Sequence, residues 1–418
     1  MLCLTRASAK RCTILVCKFY FLPFLCYSLT MKHSKLTVFL IFIAFAFISC
    51  SSTKNVPAVQ KNKWNTNYTY VFVHGLSGWG HYDFQNKLLP YWGLQSGSLL
   101  KQLKKHDFNC YDASVAPLGS AWDRACELYA QLTGTVTDYG VEHSARCGHA
   151  RFGHDFSNEP LIPLWNANYK INLIGHSFGG VTVRLLAHLM AEGSKAEQDA
   201  TPAEELSPLF KGGHADWIYS VTALAAPHNG TTAYHIPSED LELKTQMQKA
   251  MDKANAPKKD GRVDYDYADF DMHIQNAAEI NKWLTTLDSV YYFSFPCKAT
   301  RTAADGTEEP VPEIMEKFLQ QTSLKLGRFE GTTPDGLTFG KEWQANDGLV
   351  NVISARAPDY APSEEFMEDP ANVKSLKKGI WYIMPYFEGD HMSVQGGLTV
   401  KSDIIEFYTT HLDMINRL

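Results

Sequence analysis

The chain alternates between short apolar runs and longer segments in which apolar residues recur every three or four positions. The short runs are typical of buried strands and lie at residues 68–73, 109–115, 170–174, 217–225, 290–295 and 379–385. The longer segments predict amphipathic helices at residues 94–106, 122–132, 179–192, 274–287 and 403–418. This alternation predicts βα units, and therefore an α/β fold with a mostly parallel central sheet and helices on both faces.

A different apolar pattern precedes the first predicted strand. Residues 31–35 are basic and polar, residues 36–48 are almost entirely apolar, and Cys50 follows a small residue. This order is typical of an export signal, and the apolar run is short for a membrane span. A Cys at the cleavage position resembles a bacterial lipobox. It predicts that a lipid on Cys50 anchors the chain to a membrane of the bacterial cell envelope, on the extracytoplasmic side. Phe47, where a lipobox usually has Leu, leaves plain secretion open, and an uncleaved anchor helix is a third alternative.

These patterns divide the chain into three parts. Residues 1–50 form the signal segment, and residues 1–30 within it are expected to lie upstream of the true start at Met31. Residues 51–66 are polar and predict a tether. Residues 67–418 remain for one folded domain, because α/β domains can reach this length as a single unit.

Charge and cysteine content narrow the class of protein. The formal net charge is −6 with a pI of about 6.2, and the absence of any Lys and Arg cluster argues against a nucleic-acid partner. After Cys50 the cysteines are at positions 110, 126, 147 and 297, and none forms a C-x-x-C pair. The chain is therefore not a disulfide-rich scaffold. One incidental disulfide and four buried thiols are both compatible with the sequence, which also leaves the oligomeric state undetermined.

The segment Gly175-His176-Ser177-Phe178-Gly179 matches the pattern G-x-S-x-G. The pattern alone is weak, but here an apolar strand enters it and an apolar-striped helix leaves it, which is the order of a nucleophile elbow. Glycines are needed on both sides, because a side chain there would collide with the neighbouring strand or helix. The context therefore predicts Ser177 as the nucleophile of an acyl-transfer reaction.

Such a nucleophile needs backbone donors for the oxyanion that forms during attack. Phe178 opens the helix after the elbow and supplies one N–H at the positive end of the helix dipole. Folds that contain a nucleophile elbow take the second donor from an earlier loop. Val73-His74-Gly75-Leu76 lies at the end of the first predicted strand, residues 68–73. We therefore assign the oxyanion hole to the N–H groups of Leu76 and Phe178. A simple strand-ending turn at His74-Gly75 is the alternative.

The catalytic base and the acid that orients it can be located by their order along the chain. In folds with a nucleophile elbow this order is Ser, acid, His. His391 lies in the loop after the last predicted strand and is the best-placed histidine. Asp347 lies between the last two predicted strands, where the acid that orients the imidazole belongs. Asp390 is the competing acid, although a residue adjacent to His391 points away from its ring in an extended chain.

Several further sequence blocks with distinctive residues lie between Tyr68 and the C-terminus. They are VHGLSGWG (73–80), YWG (91–93), PLGSAWDRACE (117–127), DYG (138–140), GHARFG (148–153), LSPLF (206–210), APHNGTT (226–232) and NDGLVN (346–351). Together these blocks resemble the secreted, zinc-containing lipases of bacilli and staphylococci. The resemblance implies an α/β-hydrolase fold, ester hydrolysis of the triacylglycerol lipase kind on lipid or small ester substrates, and a triad at Ser177, Asp347 and His391. An esterase, a phospholipase, an acyltransferase or thioesterase on the same triad, and a lipid-binding lipoprotein without activity remain open.

The resemblance also implies a zinc ion held by two Asp and two His. The matching positions are Asp123, His143, His149 and Asp271, where Asp271 is assigned by matching the following helix, and Cys147 is a rival ligand. Four protein ligands leave no open position, so the zinc would be structural. A hydrogen-bonded cluster without metal is the alternative.

Two departures from the family pattern change the expectations. The stretch 392–398 after His391 has no carboxylate, whereas the family's calcium site draws on acidic residues there, so we predict no calcium at this place. The lid segment, residues 233–269, is short and polar, with Leu243, Met247, Met251 and Ala254 along one predicted helix face. A reduced lid predicts weak interfacial activation and a preference for shorter esters, and an ordinary surface helix is the alternative. Leu76 also replaces the Phe that the family has beside the oxyanion donor.

Overall fold

A seven-stranded parallel sheet forms the centre of the computed structural model, which describes residues 64–94, 97–236, 265–332, 336–397 and 403–418. Its strands are, in chain order, β1 (Thr69–Val73), β2 (Cys110–Ala113), β3 (Ile171–His176), β4 (Ile218–Leu224), β5 (Tyr291–Phe295), β6 (Ser363–Glu365) and β7 (Trp381–Ile383). Their order across the sheet is β6-β7-β5-β4-β3-β1-β2, and every neighbouring pair is parallel. The predicted α/β architecture is therefore confirmed.

Helices cover both faces of this sheet. They are α1 (Phe84–Leu88), α2 (Leu99–Lys105), α3 (Ala121–Thr133), α4 (Val141–Cys147), α5 (Phe178–Glu192), α6 (Lys195–Ala200), α7 (Pro208–Lys211), α8 (Ala268–Met272), α9 (Ile274–Trp283), α10 (Lys317–Leu326), α11 (Val352–Arg356) and α12 (Ile404–Arg417). Helix α2 begins later than predicted, because the Ser98 side chain accepts a hydrogen bond from Lys101 N and caps it there. No helix of the described ranges is both long and apolar enough to cross a membrane.

Short strand pairs lie outside the central sheet. Val136–Asp138 pairs with Phe152–Asp155 in an antiparallel hairpin that encloses α4, as an insertion between α3 and β3. The other pairs are Cys297–Lys298 with Phe387–Glu388, Thr300–Thr302 with Glu308–Pro310, and Gly331–Thr332 with Thr338–Phe339.

Strand β1 shows how the sequence builds a core on each face. Successive side chains of a strand point to opposite faces. Val71 and Val73 pack in one core with residues of α3 and α5, whereas Tyr70 and Phe72 pack in the other with residues of α2 and α12. The described cysteines at 110, 126, 147 and 297 are buried free thiols, which decides against an incidental disulfide among them.

The strand order creates a crevice beside β1, at the carboxyl ends of the strands. Strand β1 pairs with β2 on one side and with β3 on the other, so the strand order reverses between them. Ligands of open parallel sheets bind at such a switch point, outside the carboxyl ends of the strands. Two predicted site segments, His74-Gly75-Leu76 after β1 and Ser177 after β3, therefore lie together at this edge.

Three predictions concern residues that the structure does not describe. The signal segment with Cys50 lies outside the described residues, as does the tether up to residue 63. The same holds for residues 237–264 of the predicted lid, including Leu243, Met247, Met251 and Ala254.

Candidate active site

Ser177 lies at the sharp turn between β3 and α5. Its backbone has φ 55° and ψ −131°, a conformation that non-glycine residues rarely adopt. The turn is tight because a Cβ on Gly175 would lie 2.3 Å from Gly179 O, and one on Gly179 would lie 2.3 Å from Val73 O. Ser177 N donates to Leu224 O of β4 at 2.8 Å, which ties the turn to the sheet. The geometry is that of the predicted elbow.

The loop after β1 passes directly beside the Ser177 side chain. A Cβ on Gly75 would lie 2.6 Å from Ser177 Cβ and 3.1 Å from its Oγ, so only glycine allows this approach. The Gly75 N–H donates to Tyr91 Oη at 3.0 Å and is thereby occupied. Among the described residues, neither the Leu76 N–H nor the Phe178 N–H donates a hydrogen bond. Both predicted oxyanion donors therefore remain available near the serine.

His391 and Asp347 form a buried pair at the same edge of the sheet. His391 Nδ1 lies 2.8 Å from Asp347 Oδ2, and the two backbones are joined by His391 N donating to Asp347 O at 2.8 Å. Asp347 Oδ1 accepts hydrogen bonds from Leu349 N at 3.0 Å and Val350 N at 2.7 Å, which fix the carboxylate. Because Nδ1 faces the carboxylate, the pair can orient the imidazole so that Nε2 acts as the base.

Asp390, the competing acid, has a different environment. Its Oδ2 accepts from Glu316 N at 2.6 Å, and its Oδ1 accepts from Met392 N at 3.0 Å and Ser393 Oγ at 2.8 Å. These bonds hold the backbone on both sides of His391. They favour a role for Asp390 in the shape of the loop, with Asp347 as the partner of the imidazole.

A buried Tyr–His pair joins the elbow to the other two segments. Tyr91 Oη accepts from Gly75 N and lies 2.6 Å from His176 Nδ1, while His176 Nε2 donates to His391 O at 2.8 Å. Burial lowers the pKa of His176 well below its ordinary value and raises that of Tyr91, so both stay neutral. Sequence reasoning assigned no role to Tyr91, although it lies in one of the family blocks.

A second cluster of polar side chains lies between α3, α4 and the segment before α8. His143 Nε2 is 3.0 Å from Asp123 Oδ1 and 3.4 Å from Asp266 Oδ1. His149 Nε2 is 3.3 Å from Asp266 Oδ2 and 3.8 Å from Asp123 Oδ1. All four side chains are buried, and two imidazoles with two carboxylates are a donor set that suits zinc.

Local structure positions the two histidines. The first turn of α4 is held by the buried Glu197 carboxylate, which accepts from Glu142 N at 3.0 Å and His143 N at 2.8 Å. Burial alone would lower the pKa of His143, but the Asp123 and Asp266 carboxylates outweigh it and raise the pKa to about 11. Within the described part of the chain, the buried His149 Nε2 has no hydrogen-bond partner. A buried nitrogen without a hydrogen bond beside two carboxylates fits a metal ligand.

The structure places Asp266 beside the two histidines, at the position for which the sequence predicted Asp271. Asp271 lies in α8, and its Oδ2 accepts from Ala121 N at 2.7 Å, whereas Asp266 takes the place beside both histidines. The rival ligand Cys147 lies within 4.8 Å of the donor atoms of both histidines and Asp266. Its Sγ is 3.7 Å from His143 Nδ1, the ring nitrogen opposite the one that faces Asp123. Asp123 and Cys147 are therefore two candidates for the position beside His143, His149 and Asp266.

The parallel sheet, the elbow and the crevice at the carboxyl ends of β1 and β3 define the α/β-hydrolase class. A family model described as "Lipase-like, C-terminal domain" matches residues 66–280, slightly more than half of the chain, and the chain belongs to this family. The predicted resemblance to staphylococcal lipases is thereby confirmed.

Individual relatives agree with this placement. The chain is 30% identical to Lipase 2 of Staphylococcus aureus over 384 residues (83% of this chain and 53% of that protein), and 31% identical to a lipase of Staphylococcus hyicus over 406 residues (88% and 60%). It thus spans little more than half the length of these relatives. Among solved structures, EstA from Clostridium botulinum has a TM-score of 0.74 at 29% identity, covering 93% of this chain and 99% of EstA. The Staphylococcus hyicus lipase has a TM-score of 0.70 at 28% identity, covering 88% and 98%.

Proposed function

We propose that this protein is a serine carboxylic ester hydrolase of the lipase kind, acting on lipid or small ester substrates. The observation that supports it best is the strained Ser177 turn, placed against the Gly75 backbone at the edge where His391 and Asp347 pair. Residues held in such sparsely populated conformations cluster at active sites. Relatives named as lipases favour the same chemistry.

The reaction would proceed by two acyl transfers. Ser177 Oγ attacks the ester carbonyl carbon while His391 Nε2 takes the hydroxyl proton, and the N–H groups of Leu76 and Phe178 stabilise the oxyanion. The imidazolium, stabilised by Asp347, protonates the leaving alcohol as the carbon–oxygen bond breaks. A water molecule that gives its proton to His391 then attacks the acyl-enzyme, and Ser177 recovers its proton as the acid leaves.

A covalent label tests this proposal directly. We expect a p-nitrophenyl alkylphosphonate to add one phosphonyl group per chain, mapped by peptide mass spectrometry to Ser177, in step with the loss of p-nitrophenyl ester hydrolysis. The same assay over esters of increasing chain length separates a short-chain esterase from a long-chain lipase. A folded protein that neither hydrolyses any ester nor takes the label contradicts the proposal and favours a lipid-binding lipoprotein.

We further propose that a structural zinc ion is held by Asp123, His143, His149 and Asp266. The ion would supply stability by joining α3, α4 and the segment before α8, with no part in the acyl transfer. The prediction that no calcium binds after His391 stays a prediction, as do lipidation of Cys50 and the reduced lid.

Two aspartates allow a sharp test of the zinc proposal. We expect Asp266→Ala to lose zinc and to melt roughly 5–10 °C lower than the wild type, because a ligand present well above its Kd contributes about 4 kcal/mol. Asp271→Ala, the matched control, should keep about one equivalent of zinc while losing only the bond to Ala121 N. Metal content by elemental analysis and melting with and without a chelator decide it. Zinc lost from Asp271→Ala but retained in Asp266→Ala would reverse the ligand assignment, and a wild-type melting temperature insensitive to chelator would favour the metal-free cluster.

A further inference from the structure

Arg124 is a fully buried cation behind the crevice, and it takes no part in the proton transfers proposed for Ser177 and His391. It follows Asp123 on α3, and its side chain reaches the loop after β1 and the first turn of α5. No carboxylate of the described residues lies within 4.0 Å of its nitrogen atoms. Burial lowers the pKa of Arg124 to about 10, so it stays protonated at neutral pH. A buried charge that lacks a contacting counter-charge is costly, and its partners therefore call for an explanation.

The first set of partners belongs to the loop after β1. Arg124 Nη2 donates to His74 O, and Nη1 donates to Gly75 O at 3.4 Å. Nη1 is shared with Ala116 O, in the segment between β2 and α3, at 3.3 Å. Gly75 O also lies 2.8 Å from His74 Nδ1, which can donate to it because His74 Nε2 accepts from Val115 N at 3.2 Å. In a planar trans peptide the C=O and the following N–H point in opposite directions. Holding Gly75 O towards Arg124 therefore directs the Leu76 N–H away from Arg124.

The second set of partners belongs to the first turn of α5. Arg124 Nε donates to Thr182 Oγ1 at 3.0 Å, and Thr182 Oγ1 donates in turn to Phe178 O at 3.1 Å. The guanidinium carbon lies 5.2 Å from the centre of the Phe178 ring. One side chain is thus bonded to the peptide that contains the Leu76 donor and, through Thr182, to the residue that contains the Phe178 donor.

We propose that Arg124 is the positioning residue of the oxyanion hole, setting the separation and direction of the Leu76 and Phe178 N–H groups. This inference rests on the proposed function, since it assigns both donors to an oxyanion. The guanidinium also places a fixed positive charge behind the Gly75–Leu76 peptide, in a buried setting where charge is poorly screened. Preorganised donors and charges of this kind stabilise developing negative charge without reorganisation during the reaction.

The test compares Arg124→Met, which keeps much of the volume, with Arg124→Lys, which keeps the charge but not the planar fork. For a soluble short-chain ester we expect Arg124→Met to lower kcat roughly 10- to 100-fold with KM nearly unchanged, the cost typical of a misplaced site. Arg124→Lys should fall between Arg124→Met and the wild type. An alkylboronic acid, whose tetrahedral adduct on Ser177 places an oxygen in the hole, should lose affinity by the same factor as kcat/KM. The exposed Arg301→Met is the matched control and should match the wild type in all these values.

The outcomes separate this inference from the proposed function. Wild-type protein without hydrolysis or label contradicts the proposed function itself. If the wild type is active, a folded Arg124→Met with wild-type kcat, or one that raises KM alone and binds the boronic acid normally, overturns the positioning role. If Arg124→Met does not fold, Arg124→Lys and Thr182→Val decide. Thr182→Val removes only the Nε partner, and we expect a several-fold loss of kcat with the same loss of boronic acid affinity. Wild-type kcat in both variants overturns the proposal.

Discussion

Replacing Ser177 with alanine is expected to lower kcat for ester hydrolysis by about 10⁵- to 10⁶-fold, the cost of removing the nucleophile from a triad that acts as a unit. The residual rate would come from the oxyanion donors and from substrate binding alone. Because serine and alanine differ by one oxygen, the fold should be unchanged, and circular dichroism and the melting temperature check this. The turn places this hydroxyl beside the Gly75 backbone, which precedes the proposed Leu76 donor.

The matched control for this variant is Ser157→Ala, in an exposed turn before β3. It should hydrolyse p-nitrophenyl esters at the wild-type rate and take the phosphonate label, whereas Ser177→Ala should do neither. Activity near the wild-type level in Ser177→Ala would assign the chemistry to another group. A loss of activity in both variants would point to a general effect of substitution.

The elbow could be predicted because its signals are local in sequence. A strand, two glycines around one serine, and an apolar-striped helix occur within about two dozen residues, and each requires the same backbone geometry. Chain order then restricted His391 and Asp347 to the loops near the last strands, where they pair at 2.8 Å. The polar edge strand β6, with the exposed sequence Ser-Glu-Glu, has no apolar pattern, and the sequence therefore does not predict it.

The fourth metal-ligand candidate could not be predicted from the local sequence. Asp266, Asp269 and Asp271 lie within six residues, so spacing alone could not distinguish them. The decision comes from a long-range contact: Tyr267 forms an antiparallel bridge with Gly119, and Ala268 N donates to Leu118 O at 3.0 Å. This contact sets the residue before Tyr267 beside the start of α3, where Asp123 is.

The residues that hold the Gly75 backbone of the proposed active site also could not be predicted from the local sequence. Tyr91 and Arg124 bond to Gly75 from two directions, through the N–H and the C=O, and neither contact has a pattern in the sequence around it. They belong to segments that meet only after the sheet and α3 have packed. Family blocks marked both residues, but only the three-dimensional contacts give them a physical role.

Replacing Asp347 with asparagine is expected to lower kcat by about 10⁴-fold, with a smaller change in KM. The asparagine amide can present N–H to His391 Nδ1, which favours the tautomer with its proton on Nε2, the nitrogen that must accept the serine proton. It also removes the negative charge that stabilises the imidazolium. Asp390→Asn is the matched control, since Asp390 is buried and adjacent to His391 but bonds to Glu316 N, Met392 N and Ser393 Oγ.

Asp390→Asn should lower the melting temperature more than Asp347→Asn does, because an amide nitrogen at position 390 would face the Glu316 N–H, whereas an amide at position 347 keeps an oxygen for Leu349 N and Val350 N. It should retain most of the activity at a temperature where both variants are folded. The comparison separates orientation of the imidazole from support of its loop, because the two carboxylates flank the same residue with different partners. Rates and thermal melts measured on the same preparations give both quantities. A folded Asp390→Asn that loses as much kcat as Asp347→Asn, or an Asp347→Asn with nearly wild-type kcat, would move the triad acid away from Asp347.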